Sequence, residues 1–180
     1  MKGFDIREMK TNFCYTAHDI TPFFLKKGVS PLKLQKLLYY AQVWHIVKNR
    51  NSLFTDDIEA WMYGPVVPSI WHRFRFVRKN DTINVGQADH FYPQQTALKG
   101  DIIDHLNEVW NSYGHLSGIE LVDLTHREKP WTISRGELKT SASSKNKVIL
   151  DSNTLSNYQL DFFGNIPYVK SQRTLGHYQS

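Results

Sequence analysis

Histidine, cysteine and carboxylate side chains are the residues of this sequence that could bind a metal ion or transfer a proton. Eight histidines occur, but no two of them fall in the HxxxH or HExxH spacing that brings two imidazoles to one metal. Cys14 and His18 are four residues apart, yet they lie beside an irregular N-terminal segment, and we interpret the spacing as a coincidence. The sequence therefore predicts neither a metal site nor a cofactor.

Four further polar residues recur at helical spacing: Asp101, Asp104, His105 and Glu108. Paired carboxylates on one helix face can act in acid–base catalysis, but a solvated helix face explains the same pattern, and we predict the latter. The sequence contains no G-x-S-x-G elbow and no glycine-rich phosphate-binding loop. These patterns identify no catalytic residues, which favours a protein that is not an enzyme without excluding an unfamiliar one.

The chain is predicted to form one domain, because a length of 180 residues suits a single hydrophobic core. No apolar run reaches the roughly 20 residues of a membrane span, and the N-terminus has no signal-peptide pattern. A single cysteine forbids an internal disulfide. We expect a cytoplasmic protein with no membrane partner.

Periodicity predicts a mainly α, compact single-domain helical fold with a short strand or hairpin near residues 54–66. Residues 1–14 are expected to form a lead-in, residues 15–138 the helical domain, and residues 139–180 a polar, basic C-terminal extension. Helices are predicted over about 16–27, from a cap at Ser30, from near Ser69, over about 97–112 and from Ser117 to about Leu124. A last helix is predicted around Leu155, Tyr158 and Phe162, and the stretch THREKPW is predicted to be a turn.

The stretch SPLKLQKLLYYAQVWH, which opens the second of these helices, is apolar on most sides, as is typical of a helix at the centre of a fold. Its polar residues then need a separate explanation. We expect Gln35 to hydrogen-bond inward to a neighbouring loop, and Lys33 and Lys36 to stay in water or to meet an acidic partner.

Positive charge and aromatic side chains offer two candidate surfaces. The net charge is +5, and the local basic cluster comprises Arg73, Arg75, Arg78 and Lys79. A solvated helix face and a contact to phosphate or an acidic partner both explain that cluster. Trp61 and Tyr63 precede Gly64 and Pro65, so a rigid turn could present two aromatic rings.

Three segments resemble a known family in the expected order: PLKLQKLLYYAQVWH, IEAWMYGPVVPSIWHRF and VWNSYGHLSGIELVDLTHREKPW. Together they resemble the Panacea domain, the family of SocA-like antitoxins and phage-associated GepA-like proteins. The resemblance spans about Ile20 to Trp131. It implies a mostly helical antitoxin that neutralises a protein toxin by direct binding, and that is often encoded beside that toxin in prophages.

The resemblance implies no catalytic residues, and the candidates are therefore for partner binding. We expect the turn around Gly64 and the turn at His126 to pack side by side and to form or support the toxin-facing surface. The alternative is that both turns only stabilise the fold. The candidates are Lys33, Lys36, Trp61, Tyr63, Gly64, Pro65, Val66, His126, Arg127 and Trp131.

Two other functions remain open from the sequence. One is a nucleic-acid-binding regulator that uses Arg73, Arg75, Arg78 and Lys79 together with the basic tail. The other is a small hydrolase or nuclease with an unrecognised site around His126 or Asp101.

Overall fold

The structure is a computed structural model and describes residues 15–139 and 141–168. Within those residues the chain forms seven helices and one two-stranded antiparallel hairpin. The predicted mainly α fold with a hairpin near residues 54–66 is confirmed. In chain order the elements are α1 (Ala17–Leu25), α2 (Pro31–Asn49), β1 (Glu59–Trp61), β2 (Gly64–Val66), α3 (Pro68–Phe74), α4 (Val85–Phe91), α5 (Gly100–Tyr113), α6 (Gly118–Thr125) and α7 (Lys129–Arg135).

Helix α2 lies at the centre of the fold. Its predicted start is confirmed: the Ser30 hydroxyl accepts the Lys33 N–H at 3.3 Å, and Pro31 occupies the first helical position. Every residue from Leu34 to Ile46 is buried, because α1, α5, α6 and the hairpin cover the helix on different sides. The helix ends at Arg50, which adopts a left-handed conformation with φ of 59°.

The hairpin pairs Glu59 with Val66 and Trp61 with Gly64, so that Met62 and Tyr63 form its turn. Gly64 and Pro65 were expected in the turn, and that expectation is wrong: both are buried in β2. The outer edge of β1 is also paired. Asn146 C=O accepts the Ala60 N–H at 2.8 Å, and Ile58 C=O accepts the Val148 N–H at 2.7 Å.

Three local predictions fail. Helix α4 lies between the helices predicted from near Ser69 and over about 97–112, where no helix was predicted; an Asn84–Gln87 capping box starts it. Helix α7 begins within the stretch predicted to be a turn, with Pro130 tolerated in its first helical turn. The predicted last helix is a series of turns around Leu155, and Phe162 is exposed.

The segment after α7 contributes to the core. Leu155, Tyr158 and Ile166 are buried against it. No helix in the described ranges is both long enough and apolar enough to cross a membrane.

Candidate functional site

A groove of about 550 Å³ runs between the start of α2, the hairpin and the end of α3. We call it the hairpin groove. Most of its lining, which we call the floor, is apolar or aromatic, and Ser143 and Ser144 also line it. The floor comprises Pro31, Leu32, Leu34, Trp61, Met62, Tyr63, Val66, Trp71, Phe74 and Val77.

Four cationic side chains surround the groove: Arg75, Arg78, Lys79 and Lys145. The Lys79 ammonium lies 4.2 Å from the centre of the Tyr63 ring, a cation–π contact. Arg78 and Lys145 form no ion pair or side-chain hydrogen bond with another described residue. No carboxylate is present among the described residues that line the groove. The residues that line the groove therefore carry a net positive charge.

The aromatic rings of the groove are held in fixed positions. Trp61 donates its Nε1–H to Glu59 Oε2 at 2.6 Å. The rings of Trp61 and Trp71 pack edge to face, with centroids 5.2 Å apart and planes at 60°. Tyr63 and Trp71 remain 44% and 38% exposed. A fixed, partly exposed aromatic surface loses little conformational entropy when a partner binds.

The segment from the end of α6 into α7 packs against the hairpin. Trp131 donates its Nε1–H to the Trp61 carbonyl at 2.9 Å, and the His126 ring stacks on Trp131 with centroids 4.1 Å apart. Burial, followed by the charge of Lys36, lowers the pKa of His126, and the Met62 backbone opposes that shift. The predicted packing of the two segments side by side is confirmed.

Lys36 is fully buried beneath β2, and the prediction that it meets water or an acidic partner is wrong. Its Nζ donates to the Pro65 carbonyl at 2.7 Å. Burial lowers the pKa of Lys36 to about 7. Lys36 therefore holds β2 against α2 instead of forming a surface.

Lys33 also turns away from solvent. Its Nζ donates to the Gly114 carbonyl at 2.7 Å and lies 5.2 Å from the centre of the Trp110 ring. Partial burial lowers the pKa of Lys33, and Glu120 opposes that shift. The expectation for Gln35 is confirmed: its Oε1 accepts the Val67 N–H at 2.7 Å.

The predicted partner-binding residues therefore divide by exposure. Arg127 and Tyr63 are exposed, whereas Trp61 and His126 are partly buried. Four of the others are buried behind the groove: Lys36, Gly64, Pro65 and Trp131. Val66 is also buried, but it lines the groove floor. Of the residues predicted for nucleic acid, Arg73 turns away, because it donates to the Phe91 carbonyl at 3.2 Å and packs on the Tyr92 ring.

A cluster around Glu128 was missed from the sequence. The Glu128 carboxylate accepts hydrogen bonds from Tyr158 at 2.6 Å, Tyr40 at 2.9 Å and Tyr39 at 3.3 Å. Burial raises the pKa of Glu128 to about 7, and the three hydroxyls oppose that shift. The adjacent tyrosines on α2 were a visible signal, but their partners lie 88 or more residues away.

Glu128→Gln is expected to change how stability depends on pH. The unfolded carboxyl titrates near 4.5 and the folded one near 7, so ionisation between these values costs folding free energy. Relative to the variant, the natural chain should lose about 2.5 kcal/mol as the pH rises from 4.5 to 7. Urea unfolding followed by tryptophan fluorescence at several pH values measures this difference, and a difference that stays constant with pH would contradict it.

The polar face of α5 was predicted to be solvated, but it is only partly so. His105 is buried and its Nε2 lies 2.9 Å from the Ala41 carbonyl, and burial lowers its pKa to about 4. Glu108 forms a 2.7 Å ion pair with Lys48. Asp101 and Asp104 remain exposed. In the described ranges, no three His, Cys, Asp or Glu side chains form a group that could hold a metal ion.

Most of the groove lining, and the residues that support it, lie within one family match. A model of the family described as "Antitoxin SocA-like, Panacea domain" matches residues 34–132, more than half of the chain. This chain belongs to the SocA-like antitoxin, Panacea domain family. The match includes α2 from Leu34, the hairpin, α3 and His126, and it ends before the segment with Ser143 and Lys145.

A curated member of the Panacea family is similar to this chain over a shorter length. The Antitoxin SocA of Caulobacter vibrioides is 28% identical over 111 residues, or 58% of this chain. The match spans 59% of that protein's own length, so about two fifths of it has no counterpart in the alignment. No solved structure matches the chain significantly.

Proposed function

We propose that this chain is a cytoplasmic, non-enzymatic antitoxin that neutralises a protein toxin by binding it directly through the hairpin groove. The observation that carries the proposal is the position of the groove within the Panacea match. The hairpin, α3 and most of the apolar floor belong to residues 34–132.

The chemistry of the groove supports a protein partner. Interface hot spots are enriched in tryptophan, tyrosine and arginine, and Trp61, Tyr63 and Arg78 line the groove. Trp61 is positioned from behind by the hydrogen bond of Trp131 to its carbonyl. The buried candidates thus act indirectly, because they fix the rings that a toxin would contact.

Co-expression tests this function. The toxin is expected to be encoded by a gene adjacent to the one for this chain. That gene, expressed alone in a bacterial host, should arrest growth. Growth should return when the full chain is co-expressed, and the two proteins should co-purify. A toxic neighbour that the chain neither rescues nor binds would overturn the proposal.

Tyr63→Ala should weaken toxin binding without unfolding the domain. Its ring is 44% exposed and lies in the hairpin turn, so truncation removes contact surface and leaves the core intact. We expect the Kd for the toxin to rise about 30-fold, as for a hot-spot residue worth about 2 kcal/mol. Isothermal titration calorimetry with the purified toxin measures the change.

Tyr168→Ala is the matched control, because Tyr168 is an exposed tyrosine that stacks on His115 outside the groove. Its Kd should stay within twofold of the natural chain. Equal affinity of the Tyr63→Ala variant and this control would place the toxin elsewhere and leave the hairpin with a structural role only.

A further inference from the structure

We propose that the hairpin groove recognises an acidic segment of its protein partner, with apolar side chains on the groove floor and carboxylates against the basic rim. This inference rests on the proposed function and adds the chemistry of the bound segment. It brings together two candidate sites that the sequence placed apart: the aromatic hairpin turn and the cluster from Arg75 to Lys79.

Charge complementarity selects an acidic segment. Arg75, Arg78, Lys79 and Lys145 surround one groove, and no described lining residue is a carboxylate. Because Arg78 and Lys145 have no ionic partner among the described residues, an incoming carboxylate would not have to break an existing ion pair. A basic segment would instead meet repulsion from every charge on the rim.

The floor requires apolar side chains on the same segment. Leu32, Met62 and Val77 are aliphatic and line the groove together with Trp71. Covering such a floor removes apolar surface from water, which favours binding. A purely acidic, polar segment would pair with the rim but leave this surface uncovered.

The arrangement of the rings argues against single-stranded nucleic acid. Basic grooves that bind single strands stack bases on open aromatic faces. Here the Lys79 ammonium covers one face of Tyr63 at 4.2 Å, and Trp61 and Trp71 pack edge to face against each other. Arg73 is also directed to the Phe91 carbonyl. The rings and charges therefore fit side chains better than stacked bases.

Peptide display tests the specificity without the toxin. A random library of 16-residue peptides is selected on the immobilised full chain. We expect enriched peptides to contain Asp or Glu interspersed with Leu, Phe or Trp, and to bind more weakly as the salt concentration rises. No enrichment, or enrichment of neutral or basic peptides, would overturn the proposal.

Charge reversal at two rim positions locates the site. In the Arg78→Glu, Lys145→Glu double variant, the affinity for the most enriched peptide should fall at least tenfold. The control is Lys26→Glu with Lys99→Glu, which has the same net charge and changes two exposed lysines outside the groove. The control should bind within twofold of the natural chain. Equal losses in both double variants would overturn the assignment to the groove.

The oligonucleotide dT16 serves as a competitor in the same assay. Displacement of the peptide by dT16 at physiological salt would favour nucleic acid and overturn the proposal, whereas peptide binding that dT16 does not affect supports it. The outcomes also separate this inference from the proposed function. If co-expression rescues growth but rim reversal leaves toxin affinity unchanged, the antitoxin function stands and the acidic-segment inference fails.

Discussion

Lys36→Glu is expected to leave the domain unfolded at neutral pH. The Lys36 ammonium is fully buried and donates to the Pro65 carbonyl. A carboxylate there would face that carbonyl oxygen without a donor and would be cut off from water. An uncompensated buried charge costs about 3–5 kcal/mol and the Pro65 carbonyl left without its donor about 1–3 kcal/mol more, a sum that reaches the lower part of the 5–15 kcal/mol by which domains are stable. Circular dichroism and urea unfolding should show no cooperative transition; a transition close to that of the natural chain would contradict the buried position.

Lys36→Met separates the effect of charge from the effect of packing. Methionine fills a similar volume without a charge, so the variant should fold, although the Pro65 carbonyl loses its donor at a cost of about 1–3 kcal/mol. Because the folded pKa of Lys36 is about 7 against 10.5 unfolded, the unfolded state binds more protons between these values. The natural chain should therefore gain stability with rising pH in that range.

The gain relative to Lys36→Met should be roughly 2 kcal/mol between pH 7 and pH 9 and close to zero below pH 6, where both states are protonated. Urea midpoints of the two proteins, measured in parallel at each pH, give this difference. A difference that does not change above pH 7 would show that the Lys36 pKa is not lowered by folding.

Gly64→Ala is expected to destabilise the domain by about 3 kcal/mol. Gly64 has φ of +88°, a conformation that costs a residue with a Cβ about 1–2 kcal/mol. A Cβ at this position would lie 2.6 Å from Thr125 Oγ1 and 2.9 Å from Lys36 Nζ. Both neighbours are fully buried, so they have little room to shift, and overpacking adds about 1–3 kcal/mol.

Gly100→Ala is the matched control for this substitution. Gly100 begins α5, and a Cβ there would meet no atom within 4 Å. Its stability should rise by about 0.5 kcal/mol, since alanine restricts the unfolded chain. Thermal unfolding of both variants measures the effects, and equal melting temperatures would contradict the close packing at Gly64.

The sequence predicted the elements whose signals are local. The cap at Ser30 with Pro31, the capping box at Ser117 and the apolar character of α2 each lie within a few residues of the feature that they determine. Helix α7 was missed because it is short and follows a proline-containing stretch that is also typical of a turn.

The site was less predictable because its determinants are distant along the chain. Lys36, which the sequence predicted to be exposed on α2, can be buried because its Nζ donates a hydrogen bond to the carbonyl of Pro65, 29 residues later. The aromatic turn and the basic cluster were recognised separately. Trp61 and Arg78 line one groove because of the direction that α3 takes after the hairpin, and the sequence does not reveal that direction.

Residues beyond α7 take part in the same cooperative unfolding as the hairpin. Residues 146–148 pair with β1, and Tyr158 donates a hydrogen bond to Glu128. The stretch that the family match covers, 34–132, is shorter than the unit that must fold together. A chain ended at residue 132 would expose the free edge of β1, a template for intermolecular β-pairing. It would also leave Glu128 without one of its three donors. Residues 146–148 and Tyr158 therefore belong to the unit that folds cooperatively, although they lie beyond the family match.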